Sequence, residues 1–230
     1  MQWQDDGILV DLKRYGEKKL LATLITKDHG LHKGILRETK AAGLLQHGDC
    51  VAASWRARLP EHLGTWTLEL TASNFAFVLN ERKKLAALTT ICHYSLMMMP
   101  ERDPNSQMYE VTKVALQSLD HDDWIKSYVE YEYALMRAQG VRLKLERCAV
   151  TGQTNDLTYI SPRTGAAVCM AEGELYKDKL LPYPRIMDKE PINWNADDIA
   201  EALKVSGYFL ENFALNPLEK ALPVSRAKLL

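Results

Sequence analysis

The first 60 residues carry side chains that could bind nucleic acid. They include 10 Lys and Arg against 7 Asp and Glu, whereas residues 61–230 carry 19 against 23. Cations neutralise phosphates, and the rings of Tyr15, His32 and Trp55 could stack on unpaired bases. Because this charge density is also ordinary for a soluble β surface, composition alone leaves both interpretations open. The basic residues are Lys13, Arg14, Lys18, Lys19, Lys27, Lys33, Arg37, Lys40, Arg56 and Arg58.

Two cysteines, Cys148 and Cys169, have the best spacing for a metal site. Zinc knuckles place one thiolate pair in each of two turns as C-x-x-C, and both cysteines lie in predicted turns. The second ligand of each pair is missing, because Thr151 and Glu172 occupy those positions. A structural zinc ion needs four ligands, so we predict a zinc-free hairpin held by its turns and by apolar contacts.

Other chemistry finds little support in the sequence. His29 and His32 are near each other, but no cysteine or further histidine follows at ligand spacing, which favours a solvated turn over a metal site. The sequence has no nucleophile elbow, phosphate-binding glycine loop, dinucleotide fingerprint or paired-histidine zinc motif. A hydrolase that used Cys148 or Cys169 as its nucleophile would lack an adjacent base. We therefore predict no catalytic residue and no cofactor.

The elements that would position the basic residues are short strands. Between Gly7 and Leu79 the sequence shows five or six of them, separated by turns and without helices, and the last is AFVL at 76–79. Leu20–Thr26 is apolar on both faces, which predicts a central strand. A small closed barrel fits this pattern, and the oligonucleotide-binding (OB) fold is the commonest five-stranded choice. An open sandwich remains a second possibility.

The pattern changes to helical spacing after residue 80. Leu85, Leu88, Cys92 and Leu96 recur at steps of three, four and four, and similar stripes follow further along the chain. We predict an α+β protein with an OB-fold β-barrel and an α-helical bundle that contains a small zinc-finger-like β-hairpin knuckle. The predicted domains are 1–80 and 81–230, with the knuckle inserted at 148–190.

The cysteines and the termini give an expectation about location. Four cysteines lie far apart in a chain large enough to fold without disulfides, which favours reduced thiols. The N-terminus lacks the pattern of a signal peptide, and no segment has the length and hydropathy of a membrane span. We therefore expect a cytoplasmic protein.

Several motifs, taken in order, resemble the bacterial recombination mediator RecO family. RYGEKKLLATLITKDHGLHKGILR is similar to the opening barrel of that family, with Gly-Glu, an apolar strand and an acidic-x-Gly turn. YVEYEYALMRAQGVRLKLERCAVTG resembles its helix of aromatic and Glu residues, which runs to a glycine and then to Cys148. YISPRTGAAV and the closing ALPVSRAKLL resemble the alphaproteobacterial branch. The resemblance extends over nearly the whole chain.

The resemblance implies an N-terminal OB barrel, a helical domain and a knuckle that holds zinc in only some members. It implies a role in DNA repair without catalysis: binding and annealing of single- and double-stranded DNA, and location at the nucleoid. The implied protein partners are the C-terminal tail of single-stranded-DNA-binding protein, RecR and, indirectly, RecA, which would be loaded at gaps. This chain is similar to the members without zinc.

Two departures from the family pattern affect the predicted sites. Relatives carry a more basic, glycine-rich run where this chain has LRETKAAG, and Val129 and Glu130 stand where some relatives have arginines. The second departure leaves the docking site of the acidic tail unassigned. We predict DNA contacts from Arg14, Lys18, Lys19, Lys33, Arg37, Lys40, Arg56 and Arg58.

A second hypothesis comes from a different class of protein. In this interpretation the chain is a non-enzymatic adaptor, whose helical bundle docks an amphipathic or acidic tail while the barrel is a scaffold that does not bind DNA. Reversal of the barrel charges would distinguish the two hypotheses.

Overall fold

The computed structural model describes residues 1–59, 61–187 and 193–230. These residues form two compact units. The first, which we call the N-terminal unit, contains Met1–Ser127 and Pro223–Leu229, and the second, the C-terminal unit, contains Tyr128–Leu222 and Leu230. The domain boundary predicted between residues 80 and 81 stays a prediction, since compactness divides the chain at a different place.

The N-terminal unit is built on a closed barrel of five strands in the order β1-β2-β3-β5-β4. The neighbours are antiparallel except β3 and β5, which pair in parallel through Ile35 with Thr65 and Leu36 with Trp66. Closure of the barrel confirms the predicted OB architecture and excludes the open sandwich. The strands are β1 Gln2–Arg14, β2 Lys19–Thr26, β3 Gly30–Arg37, β4 Cys50–Arg56 and β5 Thr65–Ala72.

Alternation of side chains separates the barrel interior from its outer surface. The interior is one apolar cluster that includes Leu9, Leu24, Leu36, Trp55 and Trp66. On β2, the outward residues near Thr26 are also buried, which explains why that strand is apolar on both faces. The prediction that this strand is central is confirmed, because it lies between β1 and β3.

The predicted sixth strand, AFVL at 76–79, was wrong. Phe75–Val78 forms a short helix, α1, because the closed barrel has no free edge with which a further strand could pair. Side chains fix the exit from β5: the Asn74 amide donates to the Gly48 carbonyl at 2.8 Å, and the Ser73 hydroxyl donates to the Asp49 carboxylate at 2.9 Å.

Two longer helices complete the N-terminal unit, α2 Arg82–Met98 and α3 Ser106–Gln117. Helix α2 ends shortly before Pro100, which cannot continue a helix, and the Asn105 side chain accepts a bond from the Met108 amide to cap α3. The C-terminal segment Val224–Lys228 returns to α2, where the hydroxyl groups of Thr90 and Ser225 lie 2.7 Å apart.

The C-terminal unit combines helices with the predicted knuckle. Helix α4, Trp124–Ala138, enters it at Tyr128, and α6, Ala196–Phe209, begins with a capping box formed by Asn195 and Asp198. The fully buried Glu132 carboxylate accepts hydrogen bonds from the Tyr128 hydroxyl at 2.6 Å and from the Ser206 hydroxyl at 2.5 Å, so it joins α4 to α6.

The knuckle is a small antiparallel sheet in the order β7-β6-β8. Its strands are β6 Leu157–Ile160, β7 Ala167–Cys169 and β8 Leu181–Pro182, and the short helix α5, Met170–Gly173, follows β7. The predicted hairpin is therefore present, although 188–190 at the end of its predicted range lie outside the described residues. Across the described part of the chain, none of the helices is long and apolar enough to cross a membrane.

Gly64 is a position where the barrel tolerates no side chain. Its φ is +68°, and a Cβ there would lie 2.3 Å from Cε2 of Trp55, whereas at Gly16, with φ +75°, a Cβ meets nothing within 4 Å. We expect Gly64→Ala to lower the free energy of unfolding by about 2–5 kcal/mol, through strain plus overpacking. Gly16→Ala, with strain alone, should cost about 1–2 kcal/mol. If urea unfolding showed the same loss of free energy of unfolding in both variants, overpacking against Trp55 would be excluded.

Candidate nucleic-acid interface

One row of directly paired residues crosses the outer surface of the barrel. Their neighbours in sequence, such as Leu36, Trp55 and Trp66, point into the core, so the residues of the row point outward. From β1 around to the start of β1 again, the row consists of Lys13, Leu21, Ile35, Thr65, Arg56 and Gln2.

Three further cations flank this row on the same surface. Lys19 of β2 lies directly opposite Arg37 of β3, and each is two residues from the row, which is the spacing of side chains on one face of a strand. Lys33 lies two residues from Ile35 in the other direction. We call the outward side of β2 and β3, with the adjoining ends of β4 and β5, the barrel face.

The barrel face continues into a groove of about 840 Å³ beside the β4–β5 loop. Arg56 and Arg58 are exposed there, and the indole of Trp55 fixes the base of the loop by donating to the Leu63 carbonyl at 3.2 Å. The groove is lined by Met1, Ile35, Arg56, Ala57, Arg58, His62, Leu63, Gly64 and Thr65.

Of the remaining predicted cations, only Lys18 lies in the turn between β1 and β2. Lys18 adopts a left-handed conformation with φ 53° and is exposed, while the Tyr15 amide donates to the Lys19 carbonyl at 2.9 Å and so closes the turn. Arg14 ends β1, and Lys40 lies after β3, outside the row. The structure therefore places seven of the eight predicted cations on the strands and loops around the barrel face, with Lys40 beyond the end of β3.

Ion pairing divides the eight predicted cations into two groups. Lys33 is paired with Glu101, and Arg14 lies 3.9 Å from the Glu38 carboxylate. Within the described residues the other six make no ion pair with a carboxylate: Lys18, Lys19, Arg37, Lys40, Arg56 and Arg58. A phosphate would meet no competing carboxylate at these six, whereas it would have to replace Glu101 at Lys33.

Lys13 is not among the predicted DNA contacts, although it stands at one end of the row. Its ammonium lies 2.7 Å from the Asp11 carboxylate, two residues away on the same face. Only the strand register shows that Lys13 neighbours Leu21. The alternation of Leu12 with Lys13 in the sequence was the available signal.

Two of the three aromatic residues expected to stack on bases are not accessible. Trp55 and His32 are 1% and 6% exposed, because their rings fill the barrel with Trp66 and with Trp3, which stacks on Trp55 at 5.5 Å. The prediction that Trp55 and His32 form stacking surfaces was wrong. Tyr15 remains half-exposed in the β1–β2 turn.

His29, in the β2–β3 turn, and His32, on β3, have different environments. His29 stacks on Trp3 at 3.8 Å and its Nδ1 lies 2.8 Å from the Asp5 carboxylate. Both ring nitrogens of His32 are buried without a hydrogen-bond partner among the described residues. Burial, with the positive charge of Arg102, lowers the pKa of His32 from 6.5 to about 4. His32 is therefore a neutral core residue and not part of a solvated turn.

Cys148 and Cys169 do come together in the knuckle. The Cys169 amide donates to the Cys148 sulfur at 3.3 Å, and the Thr151 hydroxyl lies 4.0 Å from the Cys169 sulfur. Burial raises the pKa of the Cys148 thiol, but hydrogen bonds from the Thr151 and Cys169 amides outweigh burial and lower it to about 6.

This donor set does not fit a structural zinc ion. It offers two sulfurs and a hydroxyl where four ligands are needed, and no group of three His, Cys, Asp or Glu side chains in the described chain is arranged to hold a metal. The zinc-free knuckle stays a prediction. Measurement of zinc in the purified protein by inductively coupled plasma analysis would decide it.

The C-terminal unit has a separate groove of about 460 Å³ where the knuckle meets α6. Its lining mixes apolar side chains such as Leu180 and Pro182 with charged ones, and Arg185 and Lys204 make no ion pair within the described residues. Lys177 is paired with Glu174 at 2.7 Å. The lining residues are Thr158, Tyr159, Lys177, Leu180, Pro182, Tyr183, Arg185, Ala200, Glu201 and Lys204.

The barrel and its cations define a class of protein. A closed five-stranded OB barrel uses the surface of strands 2 and 3, with the β1–β2 and β4–β5 loops, to bind oligonucleotides or oligosaccharides, and here these three regions carry the cations. The chain is thus an OB-fold protein with a helical domain and a candidate nucleic-acid interface.

Comparison with known proteins identifies the family. The model described as "Recombination protein O N terminal" matches residues 1–74, and "Recombination protein O C terminal" matches residues 79–221. The chain therefore belongs to the RecO family, which supports a role in DNA repair by recombination. The match confirms the resemblance seen in the sequence motifs.

Curated relatives carry the name "DNA repair protein RecO". The protein of Rhodospirillum rubrum is 35% identical over 99% of this chain and 94% of its own length. That of a Jannaschia species is 38% identical over 100% and 95%, and that of Anaplasma marginale is 34% identical over 94% and 92%.

The buried His32 should make the N-terminal unit sensitive to acid. The folded state keeps the ring neutral, whereas the unfolded chain protonates it below about pH 6.5. The contribution of the neutral His32 ring to the free energy of unfolding is therefore fully present above pH 6.5. It decreases as the pH drops towards 4, by up to about 1.4 kcal/mol per pH unit. We expect His32→Phe to remove this component. Urea unfolding followed by tryptophan fluorescence at pH 7 and pH 5 would test it, and an equal acid loss in both proteins would argue against it.

Proposed function

We propose that this chain is a non-catalytic recombination mediator that binds single- and double-stranded DNA through the barrel face. The observation that carries the proposal is the set of cations without ion pairs on strands and loops that OB barrels use for nucleic acid. Lys19 and Arg37 are cross-strand neighbours, and Arg56 and Arg58 line the adjoining groove. Binding would derive its free energy largely from the release of counterions from DNA phosphates.

The proposed role of the barrel includes annealing. Two complementary strands repel each other through their phosphates, and a cationic surface that neutralises one strand lowers this repulsion. Annealing forms and breaks no covalent bond, which agrees with the absence of a catalytic motif from the sequence. We also place the protein in the cytoplasm, at the nucleoid.

The proposed protein partners are single-stranded-DNA-binding protein, RecR and, indirectly, RecA, which the chain would help to load at gaps. Family membership supports these partners. For the acidic tail of single-stranded-DNA-binding protein we propose the groove of the C-terminal unit, because it is lined by the apolar Leu180 and Pro182 and by three cations, Lys177, Arg185 and Lys204, against one carboxylate, Glu201. An acidic and apolar peptide is complementary to such a surface.

Charge reversal on the barrel face should weaken DNA binding. We expect Lys19→Glu combined with Arg37→Glu to reduce affinity for a labelled single strand at least about tenfold. The slope of log K against log salt should fall by about 0.7 for each lost phosphate contact. Fluorescence anisotropy across a salt series measures both quantities.

Lys126→Glu with Lys144→Glu is the matched control, because it changes the net charge equally at residues outside the barrel. Equal weakening in the control would show that net charge matters and the barrel face does not. If the wild-type protein bound no single strand at low salt, the adaptor hypothesis would replace this one.

Charge reversal in the C-terminal groove should weaken binding of the acidic tail and leave DNA binding unchanged. We expect Arg185→Glu with Lys204→Glu to weaken binding of a peptide of the acidic tail about tenfold or more, while affinity for DNA stays within twofold. Anisotropy of the labelled peptide measures the first effect. Arg163→Glu, in the exposed turn of the knuckle, is the control. An unchanged peptide affinity in the double variant would exclude this groove as the docking site.

A further inference from the structure

The barrel face contains an apolar strip between its cations. Leu21 and Ile35 are directly paired on β2 and β3, point away from the core and are partly exposed. Along β3, Ile35 stands between Lys33 and Arg37, about 7 Å from each. Around the barrel, Ile35 is followed by Thr65 and then by Arg56.

The other apolar pair on the outward side of these strands is buried. Towards the other end of the same two strands, Ile25 and Leu31 are directly paired and 1% and 3% exposed, and Glu101 forms a bridge beside Leu31. Folding of the N-terminal unit thus buries one half of the apolar surface and leaves Leu21 and Ile35 uncovered. Ile35 also lines the groove beside the β4–β5 loop.

The charges around the strip indicate what covers it. Lys19, Arg37 and Arg56 make no ion pair within the described residues, so the strip is bordered by sites for a polyanion. A double helix presents its phosphates to such a surface, but its bases are stacked on one another and paired. An unpaired strand offers the same phosphates together with the apolar faces of its bases.

We propose that Leu21 and Ile35 contact the bases of an unpaired DNA strand and give the barrel face its preference for single strands over duplex. The inference rests on the proposed function, and it assigns different parts of the DNA to the cations and to the aliphatic pair. The cations bind phosphates of either form of DNA, whereas the aliphatic pair contributes only when bases are exposed. Because aliphatic contact is the same for every base, the preference is independent of sequence.

The test replaces the aliphatic side chains without a change of charge. Threonine keeps the β-branched shape that suits a strand, so the test variant is Leu21→Thr with Ile35→Thr, and Ile35→Val is the conservative variant. We expect the double variant to bind a labelled single strand about tenfold more weakly, with duplex affinity within twofold and the salt slope unchanged. Ile35→Val should bind as the wild type does.

A strand with abasic sites tests the contact with bases directly. The wild-type protein should bind an abasic strand of equal length about tenfold more weakly than a normal strand. On the abasic strand the double variant should lose nothing further, because the partners of its side chains are already absent. Val114→Thr, at an exposed apolar residue of α3, is the control for non-specific hydrophobic contact with DNA and should leave all affinities unchanged.

Different results would overturn different claims. If wild-type protein bound the abasic and the normal strand equally well, or if the double variant lost single-strand and duplex affinity in parallel, the assignment of Leu21 and Ile35 would be wrong, while DNA binding by the barrel would stand. If the wild type bound neither form of DNA, the proposed function itself would fail. Circular dichroism and unfolding midpoints identify a variant that is misfolded, and Ile35→Thr alone then supplies the comparison of single strand with duplex.

Discussion

Trp55 and Trp66 lie directly opposite each other on β4 and β5, with both indoles inside the barrel. The Trp66 indole donates to the Ala22 carbonyl at 3.2 Å, which ties these strands to β2 across the interior. Because side chains alternate along a strand, two large rings inside the barrel force Arg56 and Thr65 to the outside. A slip of one residue would bury the arginine and expose the indoles, so the core determines which charges reach solvent.

The same constraint explains the composition of the barrel face. Lys19 and Arg37 alternate with the interior residues Leu20 and Leu36, and Leu21 and Ile35 lie outside because Ala22 and Gly34 lie inside. Gly34 leaves room for Trp66, since a Cβ there would lie 2.7 Å from the indole. One strand register therefore determines both the residues that pack in the core and the residues that face solvent. Changes to either set of residues act on the other through the backbone, which is why threonine, a residue that suits strands, replaces Leu21 and Ile35 in the test of the apolar strip.

The C-terminal unit uses polar groups in a different way. Its helices α4 and α6 are joined through Glu132, whose carboxylate is fully buried and accepts bonds from two hydroxyl groups. A buried carboxylate is stable only with such partners, so this contact specifies how the two helices pack. In the knuckle, backbone amides, among them that of Cys169, donate to the Cys148 sulfur and lower the pKa of its thiol.

The sequence by itself determined the fold class, the strand-rich first 80 residues, the helical region that follows and the family, because alternation and helical spacing are local properties of the chain. It also located the cations. Tertiary structure decided the rest. It decided that Trp55 and His32 are core residues, that residues 76–79 are not a strand, that Lys33 is paired with Glu101, and that Leu21, Ile35 and Arg56 are neighbours. Each of these depends on contacts between residues far apart in sequence, which strand register and barrel closure alone bring together.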